Sequence, residues 1–97
     1  MNEQDKIALM NHIITLARPV SSEELKINSL DTVIIDTGLD SLDYLMVTIY
    51  LSDVYGITEE DIKLAPQPVL IRDLFNFMEE KATKHPATLQ EAIANIV

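Results

Sequence analysis

This chain of 97 residues contains no cysteine, only two glycines and four prolines, and 7 basic residues against 16 acidic ones. Without cysteine there is no disulfide framework, no thiolate metal site and no cysteine nucleophile, so any thiol chemistry must come from a borrowed group. Sparse glycine and proline leave few turn signals, which favours helices joined by loops over a many-turned sheet. The shortage of positive charge leaves a formal net charge of -9 and a pI near 4.4. Such a field repels phosphate backbones and anionic lipid, which argues against nucleic-acid and membrane-surface binding, and it steers the chain toward basic partner surfaces. No apolar run reaches membrane-spanning length, and the opening Met1-Asn2-Glu3-Gln4-Asp5 is acidic where a signal peptide is basic. A cytoplasmic protein is expected. A hydrophobic fraction of 47% is enough for one packed core, so a single domain over residues 1–97 is expected.

The periodicity predicts an all-α protein. Ile7, Met10, Ile13, Ile14 and Ala17 recur at helical spacing, with Asp5, Lys6 and Asn11 off that stripe, so a helix is read from about Asn2 to Ala17. Arg18-Pro19 ends it, because the residue before proline is pushed out of the helical region. A long connection from Ser21 to Leu39 follows, pinned by Leu25, Ile27, Leu30, Val33, Ile34 and Ile35. The second helix is placed from Ser41 to about Tyr55, with Gly56 as its stop. Thr58-Glu59-Glu60-Asp61 opens a short helix running to about Ala65, and Pro66-Gln67-Pro68 breaks the chain. Leu70, Leu74, Phe77 and Met78 mark a further helix reaching about Lys84. His85-Pro86 stops it. Thr88 and Glu91 then form a capping box before a last helix with Leu89, Ile93 and Ile96 on one stripe.

Asp40-Ser41-Leu42-Asp43 is where chemistry is expected. Asp40 suits an N-cap, its carboxylate accepting a first-turn N–H, and Asp43 three residues later meets the same donors and the positive end of the helix dipole. Ser41 then holds the first helical position, beside N–H groups that lack intrahelical partners, where a phosphate ester is well placed. Gly38 lets the backbone turn sharply and keeps the approach to Ser41 open. The bland reading of these residues is a plain helix cap. No histidine neighbours Ser41 in the sequence, so a hydrolase-like nucleophile is not indicated and no catalytic residue is assigned. His12 and His85 stand apart from any motif. Glu59, Glu60 and Asp61 lack the alternating ligands and glycine of an EF-hand loop, so they read as a solvated first turn and no metal site is assigned.

The run Asp36-Thr37-Gly38-Leu39-Asp40-Ser41-Leu42-Asp43 resembles the phosphopantetheine attachment motif of acyl carrier proteins, which often reads D-L-G-x-D-S-L-D/E. The helix order over roughly residues 3–82, the length and the acidity resemble that family too. The resemblance implies a four-helix bundle, here with an added C-terminal helix in residues 85–97. It implies 4′-phosphopantetheine on Ser41, placed there by a phosphopantetheinyl transferase from coenzyme A with Mg²⁺. It further implies a monomeric carrier of acyl thioesters that serves acyl-transferring or condensing enzymes in fatty acid, polyketide or related biosynthesis. A peptidyl or aminoacyl carrier is the near alternative. A helical adaptor with Ser41 only as a cap is the alternative from another class.

The second helix departs from the family pattern, in which glutamates meet basic partner surfaces. Leu42, Met46, Ile49 and Asp53 share one stripe at 100° per residue. Family analogy makes that stripe the partner surface, with Met46 where an acid is usual and Ser52 and Val54 also at commonly acidic positions. Tyr44, Thr48, Leu51 and Tyr55, with Leu45 and Val47 at the edges, would face the core and an acyl-sheltering cavity. A helix that is apolar all round is normally buried. The stripe is therefore expected to lie under the 85–97 extension, with a docking surface as the alternative. On either reading, a carrier dedicated to one pathway is expected.

Overall fold

The computed structural model describes residues 1–19, 25–63 and 67–96. Its elements are α1 (Glu3–Ala17), a 3₁₀ turn (Ile34–Thr37), α2 (Ser41–Tyr55), α3 (Glu59–Lys63), α4 (Ile71–Lys81) and α5 (Leu89–Ala94). Among the described residues there is no strand, only an isolated antiparallel bridge between Val33 and Leu70. The protein is all-α, with the added C-terminal helix present. No helix among the described residues is long and apolar enough to cross a membrane.

Helix limits follow local chemistry. Asn2 caps α1 by accepting the Asp5 N–H at 2.8 Å, and the helix closes with the Arg18 N–H on the Ile14 carbonyl before Pro19. Gly56 ends α2 at φ 64°, a conformation costly for a residue with a Cβ, and the Ile57 N–H reaches back to the Ser52 carbonyl at 2.9 Å. The expected end of α3 near Ala65 lies outside the described residues. α4 stops at Lys81 rather than Lys84, because the Thr83 and Lys84 N–H groups turn away to the Tyr55 carbonyl at 2.9 and 3.0 Å. Thr88 caps α5 as expected, but the Glu91 carboxylate accepts the Ala87 N–H instead of closing the box on Thr88.

The core joins Leu9, Met10, Ile13 and Ile14 of α1 to Val47, Leu51 and Val54 of α2 and to Ile71, Leu74, Phe75 and Met78 of α4. Each such side chain contributes roughly 1.5–3 kcal/mol by burial. α5 packs on α1 and α2; its fully buried residue is Ala92, not one of the expected stripe of Leu89, Ile93 and Ile96, which are half-buried. The Asn95 side chain donates to the Val54 carbonyl at 3.1 Å and so fixes α5 against the last turn of α2.

The connection before α2 is pinned much as its apolar residues suggest. Leu25, Ile27 and Leu30 are buried. Asn11 clamps Ile27 at two points, accepting its N–H at 2.7 Å and donating to its carbonyl at 2.9 Å. Backbone bonds from Ile34, Ile71 and Arg72 to Val69, Thr32 and Leu30 then fasten the connection to the start of α4. Ile35 corrects the expectation. It is 85% exposed, because the 3₁₀ turn carries its side chain outward while Ile34 packs inward.

Candidate functional site at the head of the second helix

Thr37, Gly38, Leu39 and Asp40 lead the chain from the 3₁₀ turn into α2. The Thr37 hydroxyl is buried and knits this segment, donating to the Ile34 carbonyl at 2.6 Å and accepting the Leu39 N–H at 3.3 Å. Gly38 adopts φ 87°, and a Cβ there would lie 2.9 Å from Leu25 Cδ2. The left-handed backbone favours glycine, while the Leu25 methyl can move aside for a Cβ. The tight approach is thus to Leu25, from the connection behind.

Asp40 and Asp43 close a reciprocal capping box. Asp40 Oδ1 accepts the Asp43 N–H at 2.8 Å, and Asp43 Oδ2 accepts the Asp40 N–H at 3.3 Å. Ser41, exposed, sits at the first position of the helix between them. The two acids differ sharply in surroundings. Asp40 is exposed, whereas Asp43 is buried, with Arg18 Nη1 2.7 Å from its Oδ2. The Arg18 guanidinium holds the Asp43 carboxyl below the usual carboxylate range; burial opposes this shift, and the Asp40 N–H reinforces it. Sequence reasoning missed Arg18 as part of the site and read it only as a helix end. Twenty-five residues separate the partners, so no local pattern could reveal the pair.

A groove of about 730 Å³ opens beside Ser41. α2 contributes Tyr44, Leu45 and Thr48; α4 contributes Leu74, Phe77 and Met78; Ile62 comes from α3. Ile35 and Val69, both strongly exposed, stand at its rim. The polar groups of α2 here do little to make it hydrophilic. The Thr48 hydroxyl donates to the Tyr44 carbonyl at 2.9 Å, and burial pushes the Tyr44 phenol above its usual range, keeping it neutral. Asp40 is the charged lining residue among those described.

The remaining faces of α2 separate cleanly. Val47, Leu51, Val54 and Tyr55 enter the core, and Asp43 is buried apart from it against Arg18. Val54, read from the family pattern as a surface position, is fully buried beneath α5. Tyr44 and Thr48 are half-buried and line the groove, with Tyr44 also packed against the core, as expected for the side facing core and cavity. Leu42, Leu45 and Ile49 are exposed by 67%, 51% and 43%, with Met46 and Asp53 half-buried beside them. This overturns the expectation that residues 85–97 cover the stripe. α5 reaches α2 at its C-terminal turn, through Asn95 and Val54, and leaves the head of the helix open. Leu45, expected at the edge of the core-facing side, is instead half-exposed and lines the groove, so it joins the stripe and the groove into one apolar surface adjoining Ser41. In comparisons with known proteins, no family model, no curated protein and no solved structure matches this chain.

Proposed function

We propose that this protein is an acyl carrier that bears 4′-phosphopantetheine on Ser41 and presents acyl intermediates to a dedicated set of biosynthetic enzymes. One observation carries the reading: an exposed serine opens α2 within an Asp-Ser-Leu-Asp box, at the mouth of an apolar groove. The group suits these residues. A phosphodiester at Ser41 meets first-turn N–H groups and the positive end of the helix dipole. Its attachment is a displacement at phosphorus. Ser41 Oγ bonds to the phosphorus bearing pantetheine, the bond to the adenosine bisphosphate portion of coenzyme A breaks, and the serine proton passes to a base of the phosphopantetheinyl transferase. When bound, the arm supplies a terminal thiol that holds acyl groups as thioesters, a chemistry that this cysteine-free chain lacks.

The protein's own residues do the rest. Asp40 and Asp43 hold the first turn, Gly38 makes the left-handed turn that leads into it, and the groove of Tyr44, Leu45, Phe77 and Met78 shelters apolar cargo. That lining favours a fatty, polyketide or related acyl group over a peptidyl or aminoacyl one. The exposed stripe of Leu42, Leu45 and Ile49, with Met46 and Asp53 beside it, serves as the docking face for acyl-transferring or condensing enzymes. Such partners carry apolar contacts ringed by basic side chains, which suits an acidic protein. The same stripe favours a second reading, a helical adaptor that binds one partner and uses Ser41 only as part of a helix start.

Intact mass after incubation with coenzyme A, Mg²⁺ and a broad-specificity transferase separates the two. The carrier gains one phosphopantetheinyl group, and Ser41→Ala gains none while keeping its fold. Failure of folded wild-type protein to gain mass with two unrelated transferases would overturn the carrier reading and leave the adaptor.

A further inference from the structure

We propose that Arg18 is a positioning residue for Ser41, acting through the buried carboxylate of Asp43; the proposal rests on the carrier reading above. Arg18 closes α1, its N–H bonded to the Ile14 carbonyl at 2.8 Å. Its Nη1 donates to Asp43 Oδ2 at 2.7 Å, and the same oxygen accepts the Asp40 N–H at 3.3 Å. The Asp43 N–H returns to Asp40 Oδ1 at 2.8 Å. Ser41 and Leu42 are therefore enclosed between two residues that hold each other, and that unit is fastened to the end of a different helix. The direction in which Ser41 leaves the surface is set by α1 as well as by α2.

Burial gives the pair its weight. Asp43 is only 6% exposed while the Arg18 side chain is 36% exposed, so solvent weakens the pair from one side and the carboxylate side carries the cost of losing its partner. Removing the arginine leaves a carboxylate buried without its cation, which is far more disruptive than removing both partners. The planar guanidinium also fixes orientation, which a lysine ammonium does less well. Charge adds a second effect. Asp40 and Asp43 bracket Ser41 in a chain of net charge -9, and a phosphodiester brings another negative charge into the same turn. Arg18 offsets one of them. Its effect on Ser41 passes through Asp43 rather than through contact with the reacting atoms.

The test is the rate of phosphopantetheinyl transfer from coenzyme A onto the full chain, with kcat and the KM for the carrier measured separately. Wild type, Arg18→Gln, Arg18→Lys, Asp43→Asn and the double variant Arg18→Gln/Asp43→Asn are compared. Amide hydrogen exchange across residues 41–44 is followed alongside. Arg18→Gln is expected to lower kcat by roughly 10- to 100-fold with little change in KM, and to speed exchange of those amides. Arg18→Lys recovers part of the rate. The double variant outperforms Arg18→Gln, because no carboxylate is left buried without its cation. Unchanged kcat in Arg18→Gln, an effect confined to KM, or a double variant no better than the single overturns the proposal. If wild type accepts no phosphopantetheine, the carrier reading fails. Hydrogen exchange then reads the tether by itself: acceleration in Arg18→Gln shows that Arg18 fastens the turn bearing Ser41, and unchanged exchange shows that it does not.

Discussion

α2 and α4 are packed against each other, yet they spend their apolar residues differently. α4 buries Ile71, Leu74, Phe75 and Met78 at helical spacing and turns Asp73, Asn76, Glu79 and Glu80 to solvent. That is the pattern a helix needs to join a core, with Phe77 and Met78 also reaching the groove. α2 buries a comparable set, Val47, Leu51, Val54 and Tyr55, but also exposes Leu42, Leu45 and Ile49. Folding gains little from those three. The contrast extends to the helix starts: Asp43 and Asp73 both accept the N–H three residues before them, but Asp73 is exposed and Asp43 is buried with Arg18. α4 is organised chiefly for stability, whereas the head of α2 carries apolar surface and a buried carboxylate held by a partly exposed arginine, which stability alone does not require.

Substitutions should expose this division, with the core of α4 showing the largest effect on stability. Phe75 is fully buried and meets Tyr55 edge-on, with ring centroids 6.5 Å apart. Phe75→Ala should cost about 3–5 kcal/mol in urea denaturation, enough to threaten folding of a small domain. A loss below ~1 kcal/mol would break the claim that α4 is chiefly structural.

Acid titration sharpens the comparison between the helix starts. The Asp43 carboxyl is lowered below its ordinary value of 3.8, chiefly by Arg18. A lowered folded pKa contributes stability that is fully present above the unfolded value and is lost as pH falls through the folded one. The Tm difference between wild type and Asp43→Asn should therefore stay level from neutral pH down to about pH 5 and shrink below about pH 4. A difference that does not shrink in acid would mean that Asp43 stabilises α2 without its charge.

The smallest stability effect belongs to the exposed stripe. Leu42→Ser and Ile49→Ser should each change stability by no more than about 0.5 kcal/mol, since neither side chain supports the core. On the carrier reading the same variants slow transfer to or from partner enzymes, measured as a raised KM for the carrier. A pronounced drop in Tm instead would show that the stripe packs within the protein.

Much of the fold was legible in the sequence because helix ends are local events. Arg18-Pro19, Asp40 with Asp43, Gly56 and Thr88 each act through neighbours within a few residues, and each marks the boundary it was read to mark. The run from Asp36 to Asp43 likewise placed Ser41 at the first position of α2. α4 was less legible at its far end, since its stop depends on the Tyr55 carbonyl, supplied by another helix. The missed contribution of Arg18 and the outward turn of Ile35 are of the same kind.

α2 marks the boundary between the two kinds of information. Its composition determines a helix, with a cap before it and a stop after it, because capping and helical hydrogen bonding reach only a few residues along the chain. An almost uniformly apolar surface carries no period that says which face is buried. Packing chose: α1, α4 and α5 occupy one side and the last turn, α5 docks through Asn95 at Val54, and the stripe beside Ser41 remains open. The burial of Asp43 was decided in the same way, by a cation that only the folded chain brings within reach.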